Sequence, residues 1–388
     1  MPARALEFYS GIGGLHLALE RSKIAGQVAC AFDWDQAAEQ VYKHNFPATP
    51  VKRVRDMIPH AHRYTDLSTQ VDISTLTASS LRDLFPDIDI WLLSPACQPY
   101  TVLNPNGKGA QDPRAQSFLH LVQVVLPDLA REGAAPRYLL VENVAGFEQS
   151  TTRQLTLSIL QSMGYHCAEF LLTPLQFGIP NSRLRYYLLA RRDPFPSISS
   201  KSAASVLRYI PGHGSGPWID PRTEGPASST VSFKTRCLQE FLDQNMAESI
   251  AAKYTIPDKV LVKWGWLFDI VYPSDRRTCC FTRGYTKLVE RAGSILQMNE
   301  DMDTTQTFEE YQEACQETNP TQALQILRPL RLRYFTPQEL LCLFGFNDPG
   351  LQVAYKWPYN ISEKTKYRLI GNSVNIHVVT NLVNYLVS

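Results

Sequence analysis

Cys97 lies in Pro95-Ala96-Cys97-Gln98-Pro99-Tyr100, between two prolines that fix the backbone and keep a helix from forming. A thiol on so stiff a loop can serve as a nucleophile once ionised. Glu142, in Glu142-Asn143-Val144, supplies the matching acid, because a carboxyl in a water-poor cleft beside a thiolate has its pKa raised and can donate a proton. Arg183 and Arg185 alternate with Leu184 and Tyr186, so on a strand both guanidinium groups face one side. There they can hold a phosphate, a base carbonyl or the acid. Each feature also has a plain reading: free cysteines are commonly small buried hydrophobes, and Glu or paired Arg commonly face solvent.

A second group of residues suits a nucleoside-like ligand. Tyr9-Ser10-Gly11-Ile12-Gly13-Gly14-Leu15 precedes a helical pattern, and its glycines let backbone amides approach a bound molecule. It is not the dinucleotide fingerprint, since Gly14 directly follows Gly13. Asp33 can accept from ribose hydroxyls and Trp34 can cover an adenine face; Asp72-Ile73 can accept from an adenine amino group. A connecting turn and ordinary helix caps explain the same residues structurally.

These residues need a scaffold that gathers loop ends, and the first half of the chain predicts one. Strands are expected over 5–9, 27–32, 88–93, 138–141 and 186–190, and helices over 35–45, 117–131 and 151–163. The alternation predicts an α/β class: a doubly wound, mostly parallel, Rossmann-like sheet with its ligands at the strand carboxyl ends. After Arg192 the composition turns rich in Pro, Gly and Ser, notably over 211–217. Residues 1–192 are therefore assigned to a catalytic and cofactor-binding domain, 193–330 to a smaller irregular recognition domain with its linker, and 331–388 to a return into the first. Within the second region, 297–322 is acidic and polar, an exposed loop or helix.

Composition narrows the class without choosing a partner. The 388 residues are 44% hydrophobic and 19% charged, which is globular rather than disordered. No run of eighteen apolar residues and no signal-peptide pattern occur, so a soluble intracellular protein without a membrane partner is expected. The eight cysteines show no metal-ligand spacing, so no metal is assigned. A net charge of +1 means that any nucleic-acid partner must be met by a local basic surface.

Taken together, and in this order along the chain, the motifs resemble the cytosine-5 methyltransferase superfamily. Ser10 to Gly14 resembles its cofactor turn, Pro95-Ala96-Cys97-Gln98-Pro99 its nucleophile loop, Glu142-Asn143-Val144 its acid motif and Arg183-Leu184-Arg185 its arginine strand. The segment 333–346, with Phe335-Thr336-Pro337 and Glu339, is similar to the brace of the target-recognition region; Gly371-Asn372-Ser373-Val374 resembles the late motif completing the cofactor site. Cys280-Phe281-Thr282-Arg283-Gly284-Tyr285, with Asn181-Ser182-Arg183, is similar to the branch acting on the anticodon-loop cytosine, position 38, of tRNA-Asp. Ala96 departs from the proline usual before the nucleophile, Tyr100 from a common Phe, and Asn181 from the Gln usual in DNA enzymes.

The resemblance implies a class I fold, S-adenosyl-L-methionine as cofactor, tRNA-Asp as substrate, a monomer, and a cytoplasmic or nuclear setting. It implies catalytic roles for Cys97, Glu142, Arg183 and Arg185, with cofactor contacts from Tyr9 to Leu15, Asp33, Trp34, Asp72, Ile73, Pro95, Asn372, Ser373 and Val374. Gln98, Tyr100, Asn143, Cys280, Phe281, Thr282 and Arg283 are expected to meet the substrate. Two other readings stand beside it: a DNA cytosine-5 methyltransferase, and a catalytically silent nucleic-acid-binding homologue suggested by Ala96. The basic stretch over 51–70 reads as a solvated loop or as an RNA contact.

Overall fold

A computed structural model of the chain describes residues 2–24, 26–52, 73–100, 109–196, 205–212, 234–349 and 354–388. Seven strands, β1 (Arg4–Phe8), β2 (Gln27–Phe32), β3 (Val51–Lys52), β4 (Ile90–Leu93), β5 (Tyr138–Val144), β6 (His166–Leu172) and β7 (Arg185–Arg191), form one sheet in the order β3-β2-β1-β4-β5-β7-β6. Neighbours from β3 to β5 run parallel, and β7 runs antiparallel to both β5 and β6.

The helices α1 (Gly14–Glu20), α2 (Gln36–Asn45), α3 (Ala78–Leu84), α4 (Pro113–His120), α5 (Leu126–Arg131) and α6 (Thr151–Ser162) cover this sheet. Strand side chains alternate between faces, and both faces are filled. Leu6, Phe8, Trp91 and Leu93 pack with Leu81, Phe118 and Leu126, whereas Ala5, Ile90 and Leu92 share a core with Leu15, Val41 and the closing helix Ile376–Val387. That helix lies on α1, and the chain end is tied to β7 where Arg191 Nη1 donates to the carbonyls of Leu386 (3.1 Å) and Ser388 (2.7 Å).

Three expectations need correction. The helix over 117–131 is broken into α4, a π-helical turn at Leu121–Val125, and α5. Pro127 has no N–H to give the carbonyl four residues back, and a wider turn upstream absorbs the loss. Strand β6 was not foreseen, because His166 and Glu169 interrupt its apolar pattern; Glu169 is nevertheless buried against Arg153 (Nε donor, 2.7 Å) and the Tyr186 hydroxyl (2.6 Å). Ile73 opens a short 3-10 turn (Ile73–Thr75) instead of ending a strand. Asp72 and residues 53–70 of the basic stretch lie outside the described residues.

A second, three-stranded sheet joins β8 (Ile270–Val271), β9 (Ile295–Gln297) and β10 (Leu332–Arg333) in the order β10-β9-β8. The acidic stretch holds a helix, Thr304–Glu317, started by the Asp303 carboxylate accepting from Gln306 N (2.7 Å). Glu339 caps its helix with Thr336 and takes both forks of Arg333 (2.9 and 2.8 Å), which locks 333–343 as one piece. Among the described residues, no helix is long and apolar enough to cross a membrane.

Candidate active site

The order of strands reverses between β1 and β4, and a crevice must open where their carboxyl ends diverge. The glycine turn leaves β1 there and the cysteine loop leaves β4. Between them lies a cavity of about 790 Å³.

The glycine turn is built around Asp33. One carboxylate oxygen accepts from Gly11 N (2.6 Å) and the other from Asp35 N (2.8 Å), so the acid braces the backbone while facing the cavity. Burial pushes its pKa up, and those amides oppose the rise. Gly13 caps α1 with φ +81°, a left-handed conformation costly for a residue with a Cβ, and packs on Phe46 and Tyr42. It is thus a shaping residue, set back from the cavity wall that Tyr9, Ser10, Gly11, Ile12, Gly14 and Leu15 form. Trp34, 69% exposed, and Ile73 close one side. Asn372, Ser373 and Val374 close another, Val374 resting where a Cβ on Gly14 would come within 2.7 Å.

The cysteine loop is pinned at both ends. Ser94 Oγ donates to the Tyr9 carbonyl (2.9 Å), Asn143 Nδ2 to the Pro95 carbonyl (3.3 Å), and the Tyr100 hydroxyl to Thr152 Oγ1 (2.9 Å). Tyr100 also sets its ring edge-on to Phe147 at 4.8 Å. Asn143 and Tyr100, expected at the substrate, therefore brace the loop from behind. Pro95, Cys97 and Gln98 do line the cavity, together with Glu142 and both arginines.

Glu142 is buried, and its one ion-pair partner among the described residues is Arg185, Nε to Oε1 at 3.4 Å. Burial raises its pKa above the ordinary carboxylate value, with Arg185 and then Arg183 pulling the other way. Cys97 behaves alike: burial raises the thiol, Arg185 opposes, Glu142 reinforces. Arg185 thus carries the positive charge that both groups feel most.

Arg183 departs from the expectation that it orients the acid. Its guanidinium is buried and donates to the carbonyls of Phe281 (3.0 Å), Gly371 (3.1 Å) and Ser373 (2.5 Å), with its carbon 5.0 Å from the Phe344 ring centroid. It ties the segment leading into β7 to the Cys-Phe-Thr segment and the late motif. Cys280 sits between the arginines, 3.5 Å from Arg183 Nη1 and 3.8 Å from Arg185 Nη2. Burial would raise that thiol, but the two cations bring it below the ordinary value. Phe281 is packed in the interior against Tyr285 and Phe335, and Thr282 bonds the Ala292 carbonyl (3.4 Å), so neither forms cavity wall; Arg283 does. Asn181 is buried, donating to Thr278 Oγ1 (2.9 Å) and the Cys279 carbonyl (3.1 Å).

The match to the family model "C-5 cytosine-specific DNA methylase" runs over residues 3–388. The chain belongs to that family. It is 36% identical to the tRNA (cytosine(38)-C(5))-methyltransferase of Schizosaccharomyces pombe, over 99% of this chain and 96% of the relative. It is 31% identical to a DNA (cytosine-5)-methyltransferase of Dictyostelium discoideum, over 99% and 94%. The solved structure of S. pombe Dnmt2 methyltransferase superposes with a TM-score of 0.71 at 34% identity, over 99% of this chain and 98% of that one.

Two cationic cavity residues of this family member escaped the sequence reading. Arg368 pairs with Asp35 across the cavity rim, and Arg114 stands at the start of α4, held by Asp112 (Nη2 to Oδ2, 2.7 Å). Asp112-Pro113 is a legible helix start, and it could have drawn attention to Arg114. Nothing local marks Arg368. The polar features of the turn also fit the family's cofactor: the Ser10 hydroxyl is buried with no hydrogen-bond partner among the described residues, and Asp33 and Trp34 share its cavity.

Proposed function

We propose that this chain methylates carbon 5 of a cytosine in RNA, the anticodon-loop position 38 of tRNA-Asp, with S-adenosylmethionine as donor. The observation that carries the reading is one cavity lined by both the Cys97 loop with buried Glu142 and the Ser10–Asp33–Trp34 pocket. Asp33 would take the ribose hydroxyls, Trp34 a face of the adenine, and Ser10 with the Asn372–Val374 turn the rest of the cofactor.

When bound, S-adenosylmethionine supplies an electrophilic methyl group on its sulfonium. The Cys97 thiolate adds to carbon 6 of cytosine, the carbon 5–carbon 6 double bond opens, and Glu142 gives its proton to ring nitrogen 3. Carbon 5 then holds the electron pair that would form the new carbon–carbon bond to the methyl group, whose bond to sulfur would break and leave its electrons on the neutral thioether, S-adenosylhomocysteine. A base removes the carbon 5 proton, the sulfur–carbon 6 bond breaks, and the nitrogen 3 proton returns to Glu142. Arg185 steadies Glu142 before transfer and the anionic groups during it. The pyrimidine must leave its stack to enter, which costs least in a loop or single strand and favours an anticodon loop over duplex DNA.

Bisulfite sequencing of tRNA incubated with the protein and S-adenosylmethionine, beside duplex DNA at the same salt, tests this. A protected cytosine at position 38 of tRNA-Asp is expected. Methylation confined to DNA would favour the second reading, for which the likeness to the Dictyostelium relative speaks.

A further inference from the structure

The cavity mouth continues onto a basic stripe that the chemistry above leaves unused. In the helix Glu363–Gly371, Lys364, Arg368 and Gly371 are spaced i, i+4, i+7 and share a face. At Gly371 that face meets the Cys280–Arg283 segment backbone to backbone, since a Cβ there would overlap Arg283 N and the Thr282 carbonyl carbon. Further along, Lys287 stands beside Lys364, within range of the Arg368 charge. Arg283 and Arg368 belong to the cavity wall, so the stripe begins at the reacting site.

Its carboxylates are already committed. Asp35 holds Arg368, and Glu363 is taken by Lys366 (2.5 Å) and the Tyr254 hydroxyl (3.0 Å). Arg283, Lys287 and Lys364 are left without an ion-pair partner among the described residues. Desolvation, then the charges of Lys364 and Arg368, hold Lys287 below the ordinary lysine pKa. An anion bridging the two ammonium groups relieves that repulsion.

Beside Lys287 lies a small pocket walled by Trp264, Phe268, Tyr285, Lys287, Leu288 and Tyr334. Its volume, about 90 Å³, suits the edge of one ring and not a nucleoside. Trp264 is 39% exposed, and Lys263 Nζ lies 4.8 Å from its ring centroid. Unpaired cations alternating with an accessible aromatic wall fit a nucleic acid strand whose bases are unstacked.

We propose that Arg283, Lys287 and Lys364 hold backbone phosphates of single-stranded RNA next to the extruded cytosine, and that a neighbouring base stacks on Trp264. The assignment rests on the RNA reading of the site, and it makes the anticodon loop, not the stem, the part that is gripped.

The test is titration of a fluorescein-labelled anticodon stem–loop RNA at several salt concentrations, in parallel with duplex DNA and with methyl transfer. Lys287→Glu with Lys364→Glu should weaken RNA binding by roughly 10-fold or more and flatten the log–log salt slope by about 0.7 for each phosphate no longer neutralised. Trp264→Ala should weaken it by roughly 10-fold without changing the slope. Lys287→Arg with Lys364→Arg should keep affinity, and S-adenosylmethionine affinity and Tm should stay at wild-type values throughout. Wild-type RNA affinity and slope in the charge-reversed protein, or loss of DNA binding alone, would overturn the proposal. Methyl transfer by the wild type reads the other question: binding through the stripe without methylation would remove the proposed function and leave the stripe standing.

Discussion

Arg185 Nε stands 3.4 Å from Glu142 Oε1, across an antiparallel pair of strands whose register sets Val144 against Arg185 and Glu142 against Tyr187. The acid is buried, and this guanidinium is its one ion-pair partner among the described residues. Strand register therefore decides where the proton donor points.

Arg185→Lys keeps a cation but loses the fork that spans Glu142 and Cys280. Steady-state kinetics should show kcat reduced by roughly 10- to 100-fold with cofactor affinity unchanged, the signature of an interaction felt mainly in the transition state. A change confined to KM would mean that Arg185 serves substrate binding alone.

The same residue should set the thiol. Burial raises Cys97 above an ordinary cysteine, and Arg185 is the main opposing influence. Thiolate absorbance at 240 nm, taken as the difference from Cys97→Ser, should titrate above the free-thiol range in the wild type. In Arg185→Ala it should titrate higher still, because a cation that favours the anion has been removed. A downward move would contradict the sign.

Below the glycine turn, Glu7 is fully buried, accepts from His16 N (3.2 Å) and the Tyr42 hydroxyl (2.8 Å), and has its pKa raised to about 8, chiefly by burial. A carboxyl whose folded pKa lies above its unfolded value of 4.5 holds a proton that the unfolded chain has released. Its stabilising contribution is full below that lower value and is lost as pH rises towards about 8. Glu7→Gln should therefore raise Tm more at pH 8 than at pH 5, measured by thermal melts across that range. Tyr42 can turn its hydroxyl to His16 Nδ1, 2.7 Å away, and accept from the new amide.

Gly371→Ala places a methyl against the backbone of Thr282 and Arg283, where no side chain can swing aside. Overpacking of this kind costs about 1–3 kcal/mol, and the displaced segments also carry two Arg183 bonds. A lower Tm with weakened cofactor binding by calorimetry is expected. Wild-type values for both would mean that the contact is looser than the structure has it.

Much of this architecture was legible because the strands are buried on both faces and read as apolar runs. Residues 27–32 form β2 as expected, and α2, Gln36–Asn45, fills the helix expected over 35–45, with Asp35 and not Asp33 as its cap. The cysteine loop and glycine turn were legible from prolines and glycines, whose backbone constraints are local. What sequence could not supply was direction. The alternation of Arg183 with Arg185 suggested one strand face, but β7 begins only at Arg185; Arg183, two residues earlier, turns its guanidinium to carbonyls from distant segments, and Arg185 turns to Glu142. Asn143 and Tyr100 lie within three residues of Glu142 and Cys97, and Phe281 two residues from Arg283, yet none of the three forms cavity wall, which depends on packing partners far off in the chain, such as Thr152 for Tyr100 and Phe335 for Phe281. Arg368 enters the site only because the chain folds back after Arg331.

The central claim is covalent attack by Cys97 on a cytosine ring. An anticodon stem–loop RNA carrying 5-fluorocytosine at position 38, incubated with the protein and S-adenosylmethionine, keeps fluorine where the departing proton should be and prevents release of the enzyme. The account predicts a denaturation-resistant protein–RNA adduct that peptide mass spectrometry places on Cys97 and that Cys97→Ala abolishes. No adduct with methylation-competent protein, or an adduct on Cys280, would contradict it.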